Sequence, residues 1–278
     1  MQTLDKALAF QGLHTRPELF VLPNAWDAGS AKILESLGYP AIATTSAGLA
    51  FSLGRRDGEG AVSRSENLAN AQAIVQATNL PVSADLENGF GDSPEEVAIT
   101  IRMAGEVGLV GGSIEDATGS AASPIYDFNH ALERIIAGVE AARSLPFPFT
   151  FVARAENFSA GIHDLDETIH RLIAFERAGA DVLFAPSLPN LEAIRQVCEA
   201  LGKPVNVVMG LAGSKLTVSE LERAGVRRVS VGSSFARAAL GALRRAALEV
   251  KNGGSFDYAD AALTFREANT LMGPTPKP

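Results

Sequence analysis

Three carboxylates follow closely on short apolar runs in this chain, Asp85 and Glu87 in LPVSADLENGFGD and Glu115 in GGSIEDATG, and a fourth, Asp57 in LGRRDG, stands in a long loop after another such run. Taken singly, an Asp or Glu is usually a helix cap or a surface charge. Gathered at one place, such groups repel one another unless a cation sits among them. Ligands that are all oxygen, with no His or Cys, suit Mg2+ or Mn2+ rather than zinc. Asp85, Glu87 and Glu115 are therefore the candidate metal ligands, and acids cluster in this way mainly at functional sites.

Arg154, at the end of the run TFVAR, is the natural partner, because a guanidinium beside a metal can grip a carboxylate through two parallel N–H donors. Thr45, Ser46 and Ala47 precede Gly48, and small residues there let backbone N–H groups approach an anionic ligand. Gly232-Ser233-Ser234 opens a helix and reads equally as a phosphate cradle or as a plain helix start. Asn206 is a further polar residue within an apolar run. The histidines His14, His130, His163 and His170 are not spaced as ligands, and His14 and His130 read as surface residues. Trp26 stands beside the candidate site and reads as packing. Asp92 and Asp116 read as structural. No Ser-His-Asp set, P-loop or dinucleotide fingerprint is present, and ENGFGD lacks the required glycine spacing.

What could bring these residues together is a repeated strand–helix unit. Short β-branched runs lie near Phe20–Leu22, Ala41–Thr45, Val82–Leu86, Leu109–Ile114, Thr150–Ala153, Asp181–Phe184, Val205–Val208 and Arg228–Val231. Several are continuously apolar, as parallel strands buried on both faces must be. Between them lie amphipathic segments at Asp27–Leu37, Ser65–Thr78, Pro94–Glu106, Asp166–Ala178 and Thr217–Ala224. LESLGYPAI, FERAGADVL and LERAGVRRV repeat one pattern of helix, terminal glycine and strand. The pattern predicts an α/β protein with a single (β/α)8 TIM barrel over residues 1–278. A helix at Leu4–Leu13 precedes the first strand. The segment 252–278, with a helical stretch near Tyr258–Leu271, is appended and serves oligomerisation. In such a barrel the site lies at the C-terminal ends of the strands, where the polar residues named above fall.

Composition narrows the function. The chain has 278 residues, 46% hydrophobic and 20% charged, and a formal net charge of −8. The acidic balance argues against nucleic acid or an anionic membrane as partner. The one cysteine, Cys198, excludes an intrachain disulfide and shares a helical face with Leu191, Ile194 and Leu201. With no leader-like or membrane-spanning run, a cytoplasmic protein is the expectation.

The phrases LPNAWDAGSAKILESLGYPAIATTSAGLA, LGRRDG, LPVSADLENGFGDSPEEV, SIEDATG and FVARAENF closely resemble the isocitrate lyase/phosphoenolpyruvate mutase superfamily, in order from Leu22 to Ala185 and more loosely to Gly232. The resemblance implies a barrel with a swapped C-terminal helix, a homotetramer built as a dimer of dimers, and a Mg2+ site. It implies that Thr45, Ser46 and Ala47 contact the carboxylate or oxo-acid end of a ligand. Asp57, Asp85, Glu87 and Glu115 match the metal-site acids, with Glu87 where an Asp is usual. Arg154 matches the substrate-binding arginine. The expected catalytic pair is Arg154 and Asp57; Asp85 and Asn206 are expected to join the substrate contacts.

The departures bear on activity. Isocitrate and methylisocitrate lyases carry a lid with a Lys-Lys/Arg-Cys-Gly-His motif after IED. Here the segment reads ATGSAASPIYDFNHALERI, without Cys or Lys, and only Tyr126 or His130 could stand in. Pro186 replaces a Glu of the lyases, and Asn206-Val207-Val208-Met209 replaces their Asn-x-Thr-Glu. The expected function is a Mg2+-dependent carbon–carbon lyase, hydrolase or decarboxylase acting on a small 2-oxo or 2-hydroxy carboxylate through an enolate. The alternatives are a carbon–phosphorus bond enzyme of the phosphonopyruvate type and a non-catalytic 2-oxo-acid binder.

Overall fold

Parallel pairing runs through every neighbour in the sheet of this computed structural model, which describes residues 2–211 and 215–273. The elements are α1 (Thr3–Thr15), β1 (Phe20–Leu22), β2 (Asn24–Ala25), α2 (Ala28–Ser36), β3 (Ile42–Thr44), α3 (Ser46–Ser52), α4 (Arg64–Ala77), β4 (Val82–Asp85), α5 (Pro94–Glu106), β5 (Gly111–Glu115), α6 (Phe128–Arg143), β6 (Thr150–Arg154), α7 (Leu165–Arg177), β7 (Val182–Phe184), α8 (Leu191–Ala200), β8 (Val205–Val208), α9 (Val218–Arg223), β9 (Arg228–Ser230), α10 (Ser234–Gly253) and α11 (Phe265–Met272), with a 3-10 turn at Asp257–Ala261.

The strand order is β1-β9-β8-β7-β6-β5-β4-β3-β2. β1 and β2 are one barrel strand interrupted at Pro23, which has no N–H to give to a ladder. β1 pairs with β9 and β2 with β3, so the break closes an eight-fold (β/α) barrel. Asn24 spans the break: its Nδ2 donates to the Thr44 carbonyl at 2.6 Å, and its Oδ1 accepts from the Val231 and Gly232 amides, each at 2.9 Å.

α5 starts and stops where the sequence says it should; α4 begins earlier than expected, because Ser63 and not Ser65 is its cap, and α6 is a helix that the sequence reading did not include. Ser93 accepts from the Glu96 amide ahead of Pro94, and Ser63 and Glu66 form a reciprocal capping box. Gly179 and Gly225 end their helices at φ +103° and +96°, values that favour glycine. The main core lies between sheet and helices, with Phe149, Phe151, Phe175, Ile101 and Ile114 almost fully buried.

α1 closes the bottom of the barrel. Ala7, Phe10 and Leu13 pack on Phe20, Leu22, Ala41, Ala43 and Val110. Gly111 makes room for this plug, since a Cβ there would lie 2.9 Å from Phe10 Cε1. The plug corrects one expectation: His14 is not a surface residue but is held edge-on between the Phe10 and Phe20 rings. His130 too is half-buried, edge-on to Tyr126.

The appended segment also differs from expectation. Its single helical stretch divides into the 3-10 turn and α11, because Thr264 starts a new helix with its own capping box to Glu267. α11 packs on α2 of the same chain, where Lys32 Nζ donates to the Gly273 carbonyl at 2.7 Å. Pro274 and Pro276 lie outside the described residues. Among the described residues no helix is long and apolar enough to cross a membrane.

Candidate active site

The strand ends converge as the barrel rule requires. One cavity at the C-terminal mouth is lined by Thr45, Ser46, Ala47, Asp57, Asp85, Arg154 and Asn206, among others. Arg154 is its centre. Nη1 lies 3.0 Å from Glu115 Oε2 and 3.7 Å from Asp85 Oδ1, while Nε donates to Glu156. Its guanidinium also stands over the Phe184 ring, 5.1 Å from the centroid. Burial works against the charge on Arg154, but Glu115, Glu156 and Asp85 outweigh it and raise its pKa.

Asp85 is fixed from two sides. Ser46 donates its amide to Oδ2 at 3.1 Å, and Thr44 Oγ1 accepts from the Asp85 amide at 3.0 Å. The turn bearing Ser46 needs Gly48: a Cβ there would stand 2.5 Å from Thr45 Cγ2 and 2.9 Å from Trp26 Cβ. Trp26 accordingly packs behind the turn.

Glu87 sits in left-handed backbone at φ +49°, which costs a non-glycine residue on the order of 1–3 kcal/mol. The loop that imposes this is clamped from outside. Arg134 donates to the carbonyls of Asn88, Gly91 and Asp92, Thr100 Oγ1 to that of Gly89 at 2.7 Å, and Tyr126 Oη to Asp92 Oδ1 at 2.6 Å. Tyr126 and His130 thus hold the loop from behind; His130 Nε2 faces the Asp92 carbonyl at 2.8 Å. Neither lines the cavity at the mouth. The segment after Glu115 is a short turn closed by a bridge between Ala117 and Ile125, after which α6 begins.

Electrostatics show a surplus of negative charge. Burial first, then Asp85 and Asp57, push the Glu87 carboxyl up to about 7. Burial raises Glu115 well above the carboxylate range in spite of Arg154. Asp57, on an exposed loop whose carboxyl turns into the mouth, is raised by desolvation and by Asp85. Among the described residues, no three His, Cys, Asp or Glu side chains group closely enough to hold a metal directly. Asp85 lines the mouth and Glu115 meets Arg154 there, while Glu87 lines a neighbouring cavity with Asn88 and Phe90; oxygen-only donors with raised carboxyls suit Mg2+, which these three would hold largely through water.

Other expected residues stand as follows. Asn206 lines the cavity, but Nδ2 donates to Ser230 Oγ at 3.0 Å and Oδ1 accepts from Arg228 Nε at 2.8 Å, so both ends of its amide are engaged within the protein. The Gly232 amide that would cradle a phosphate is taken by Asn24. Asp116 supports the site by accepting from the Glu156 amide at 2.7 Å and from Arg171 at 3.1 Å. Cys198 lies on α8, away from the cavity, with its thiol pushed up to about 12 by burial. Sequence reasoning missed Glu156 and Arg228. The signal for Glu156 is its place two residues after Arg154; for Arg228, the in-facing alternation with Ser230.

Residues 10–251 match the family model described as phosphoenolpyruvate phosphomutase. The chain belongs to the isocitrate lyase/phosphoenolpyruvate mutase superfamily. Within the superfamily, it is 53% identical to a Burkholderia cenocepacia J2315 protein assigned to the lyase/mutase class, with a TM-score of 0.95 over 98% of this chain and 97% of the other. It is 28% identical to the 2,3-dimethylmalate lyase of Eubacterium barkeri, over 97% of this chain and 95% of that protein. A phosphonopyruvate hydrolase solved with oxalate and Mg2+ superposes with a TM-score of 0.86 at 25% identity, over 98% and 95% of the two chains.

Proposed function

We propose that the protein is a Mg2+-dependent lyase or hydrolase that breaks a carbon–carbon bond in a small 2-oxo or 2-hydroxy carboxylate, by way of an enolate. The observation that carries this reading is the placement of Arg154 among Asp85, Glu115 and Glu156 in a cavity backed by the Thr45–Ala47 turn. The superfamily's relatives, a dimethylmalate lyase and a phosphonopyruvate hydrolase seen with oxalate and Mg2+, support the substrate class and the metal.

Asp85, Glu87 and Glu115 would hold Mg2+, which would supply Lewis-acid chemistry there. The protein's own residues do the rest. Arg154 binds the carboxylate and faces the oxygen on which charge develops, a fixed cation in a partly dry site. The Thr45–Ala47 turn supports that end of the ligand. Asp57, at the rim with a raised pKa, exchanges the proton that leaves a hydroxyl or a water as the bond breaks.

A substrate screen tests this: oxaloacetate, 2,3-dimethylmalate, 2-methylisocitrate and phosphonopyruvate, with and without Mg2+, reading organic products and free phosphate. Carbon–carbon cleavage that needs Mg2+ and Arg154 supports the proposal. Phosphate release alone would establish the carbon–phosphorus reading, and tight oxalate binding without turnover the non-catalytic one.

We further propose a homotetramer, a dimer of dimers. α10 leaves Leu240 and Leu243 at 45% and 66% exposure, and Phe256 and Phe265 beyond it at 63% and 87%. An apolar surface of this kind is covered in most proteins. Light scattering at micromolar concentration should give four times the chain mass; a monomeric mass would sink the idea.

A further inference from the structure

Beneath the mouth, the barrel interior contains a cation that no carboxylate among the described residues pairs with. Arg228 opens β9, turns inward and is 4% exposed. Its Nε donates to Asn206 Oδ1 at 2.8 Å, and Nη1 faces His14 Nε2 at 3.5 Å. His14 supplies no compensation: Nδ1 donates to the Phe10 carbonyl at 2.8 Å, and burial together with Arg228 draws the imidazole pKa down to about 3, so the ring is neutral.

The contrast with Arg154 and with the buried guanidiniums on the helices is informative. Arg171 pairs with Asp116 at 3.1 Å and Glu167 at 2.8 Å, and Arg154 meets three carboxylates. Arg134 spends its donors on carbonyls and lies over the Tyr126 ring. Among the described residues, no carboxylate forms an ion pair with Arg228. Burial alone acts on it and lowers its pKa to about 9. A cation this deep strongly destabilises a fold unless something neutralises it.

The surroundings offer room and further donors. Arg228 lines the same cavity as Asp85 and Arg154, a space of about 190 Å3 that continues past Ser83, Ser113 and Ser230. Ser230 Oγ already accepts from Asn206 Nδ2, which leaves its own hydrogen free to turn inward. The lining at this depth is a guanidinium and neutral hydroxyls, the donor set that an anion requires.

We propose that Arg228, with the Ser83, Ser113 and Ser230 hydroxyls, binds a small monovalent anion inside the barrel, below the active-site mouth. The ligand is a halide or the carboxylate group of a small organic acid, which present the same chemistry to the site. The proposal stands independently of the reaction the mouth performs.

The test uses the full chain and a charge-free variant, Arg228→Met. Thermal unfolding is followed as sodium bromide is raised, with Arg228→Met at each concentration as the control for ionic strength. Crystals soaked in bromide are examined for anomalous scattering. The expected result is a saturable rise in Tm of a few degrees in the wild type, absent in Arg228→Met, and an anomalous peak against the guanidinium. Oxalate then separates the sources. If oxalate displaces the bromide peak at Arg228, the site serves a ligand carboxylate; if oxalate settles only against Arg154 and the bromide peak at Arg228 stays, it serves an inorganic anion. If Arg228→Met fails to fold, the wild-type crystal decides: a bromide peak at Arg228 supports the proposal. Absence of both the peak and any bromide-dependent or oxalate-dependent shift beyond that of the variant would overturn it.

Discussion

Arg154 Nη1 and Glu115 Oε2 meet at 3.0 Å on neighbouring strands, with side chains only 20% and 18% exposed. The pairing makes the charge at the mouth a property of strand register, since Glu115 and Arg154 are direct partners across β5 and β6. Arg154→Lys keeps a charge and loses the planar fork, so kcat/KM for whichever carboxylate is turned over should fall on the order of 10²-fold. Arg154→Met should also lower stability by about 3–5 kcal/mol, because Glu156 is left buried without its partner. Steady-state kinetics and thermal melts read the two effects. A variant with wild-type kcat/KM would remove Arg154 from the mechanism.

Metal binding should expel protons. Glu87 is held at about 7, above its ordinary 4.5, so below that pH the metal-free protein keeps a proton which a cation must displace. Titration with Mg2+ in buffers of different ionisation enthalpy should show more proton release at pH 6 than at pH 8.5. Glu87→Gln should shrink the difference. Equal release at both pH values would detach Glu87 from the metal site.

His14 should make the fold acid-sensitive. Its pKa is about 3 when folded and 6.5 when exposed, so between these values the unfolded chain binds the extra proton. Stability from this group is therefore full above pH 6.5 and declines as pH falls toward 3, with about 2 kcal/mol lost by pH 5. Urea melts from pH 7.5 to 5 should be visibly flatter for His14→Gln than for the wild type. Parallel pH profiles would show that the imidazole is charged in the fold.

Isocitrate and 2-methylisocitrate should not be turned over appreciably. Their cleavage needs an acid at the departing carbon, and losing one typically costs about 10²–10⁴ in rate. Cys198 is on α8 with a thiol raised to about 12, and Tyr126 and His130 are engaged at Asp92. Cys198→Ala should leave every activity unchanged. Robust cleavage of either substrate that survives this substitution would mean that another group on the short turn supplies the proton.

The barrel was legible because its strands are continuous apolar runs and its helices carry explicit caps. The mouth was legible because Asp85, Glu115 and Arg154 each end a strand. What escaped are side chains whose role depends on a neighbour distant in sequence. Nothing local to Asn206 announces that Arg228 and Ser230 take both ends of its amide. His14 read as polar surface because the helix that carries it looks unremarkable until it is placed across the barrel floor. α3 was missed because only the Thr45 cap and the close packing at Gly48 make SAGLAFS a helix.

The interruption at Pro23 leaves the ring of strands without a continuous backbone ladder at one point, and Asn24 stands there in its place. A side-chain amide that donates to Thr44 and accepts from Val231 and Gly232 imitates a peptide group turned across the gap. Closure of the cylinder is thereby tied to the segment that ends in Thr45–Ala47 and to the turn that leads from β9 into α10. A shift of the segment before α10 can reach the Thr45–Ala47 turn through one amide, without passing round the other strands.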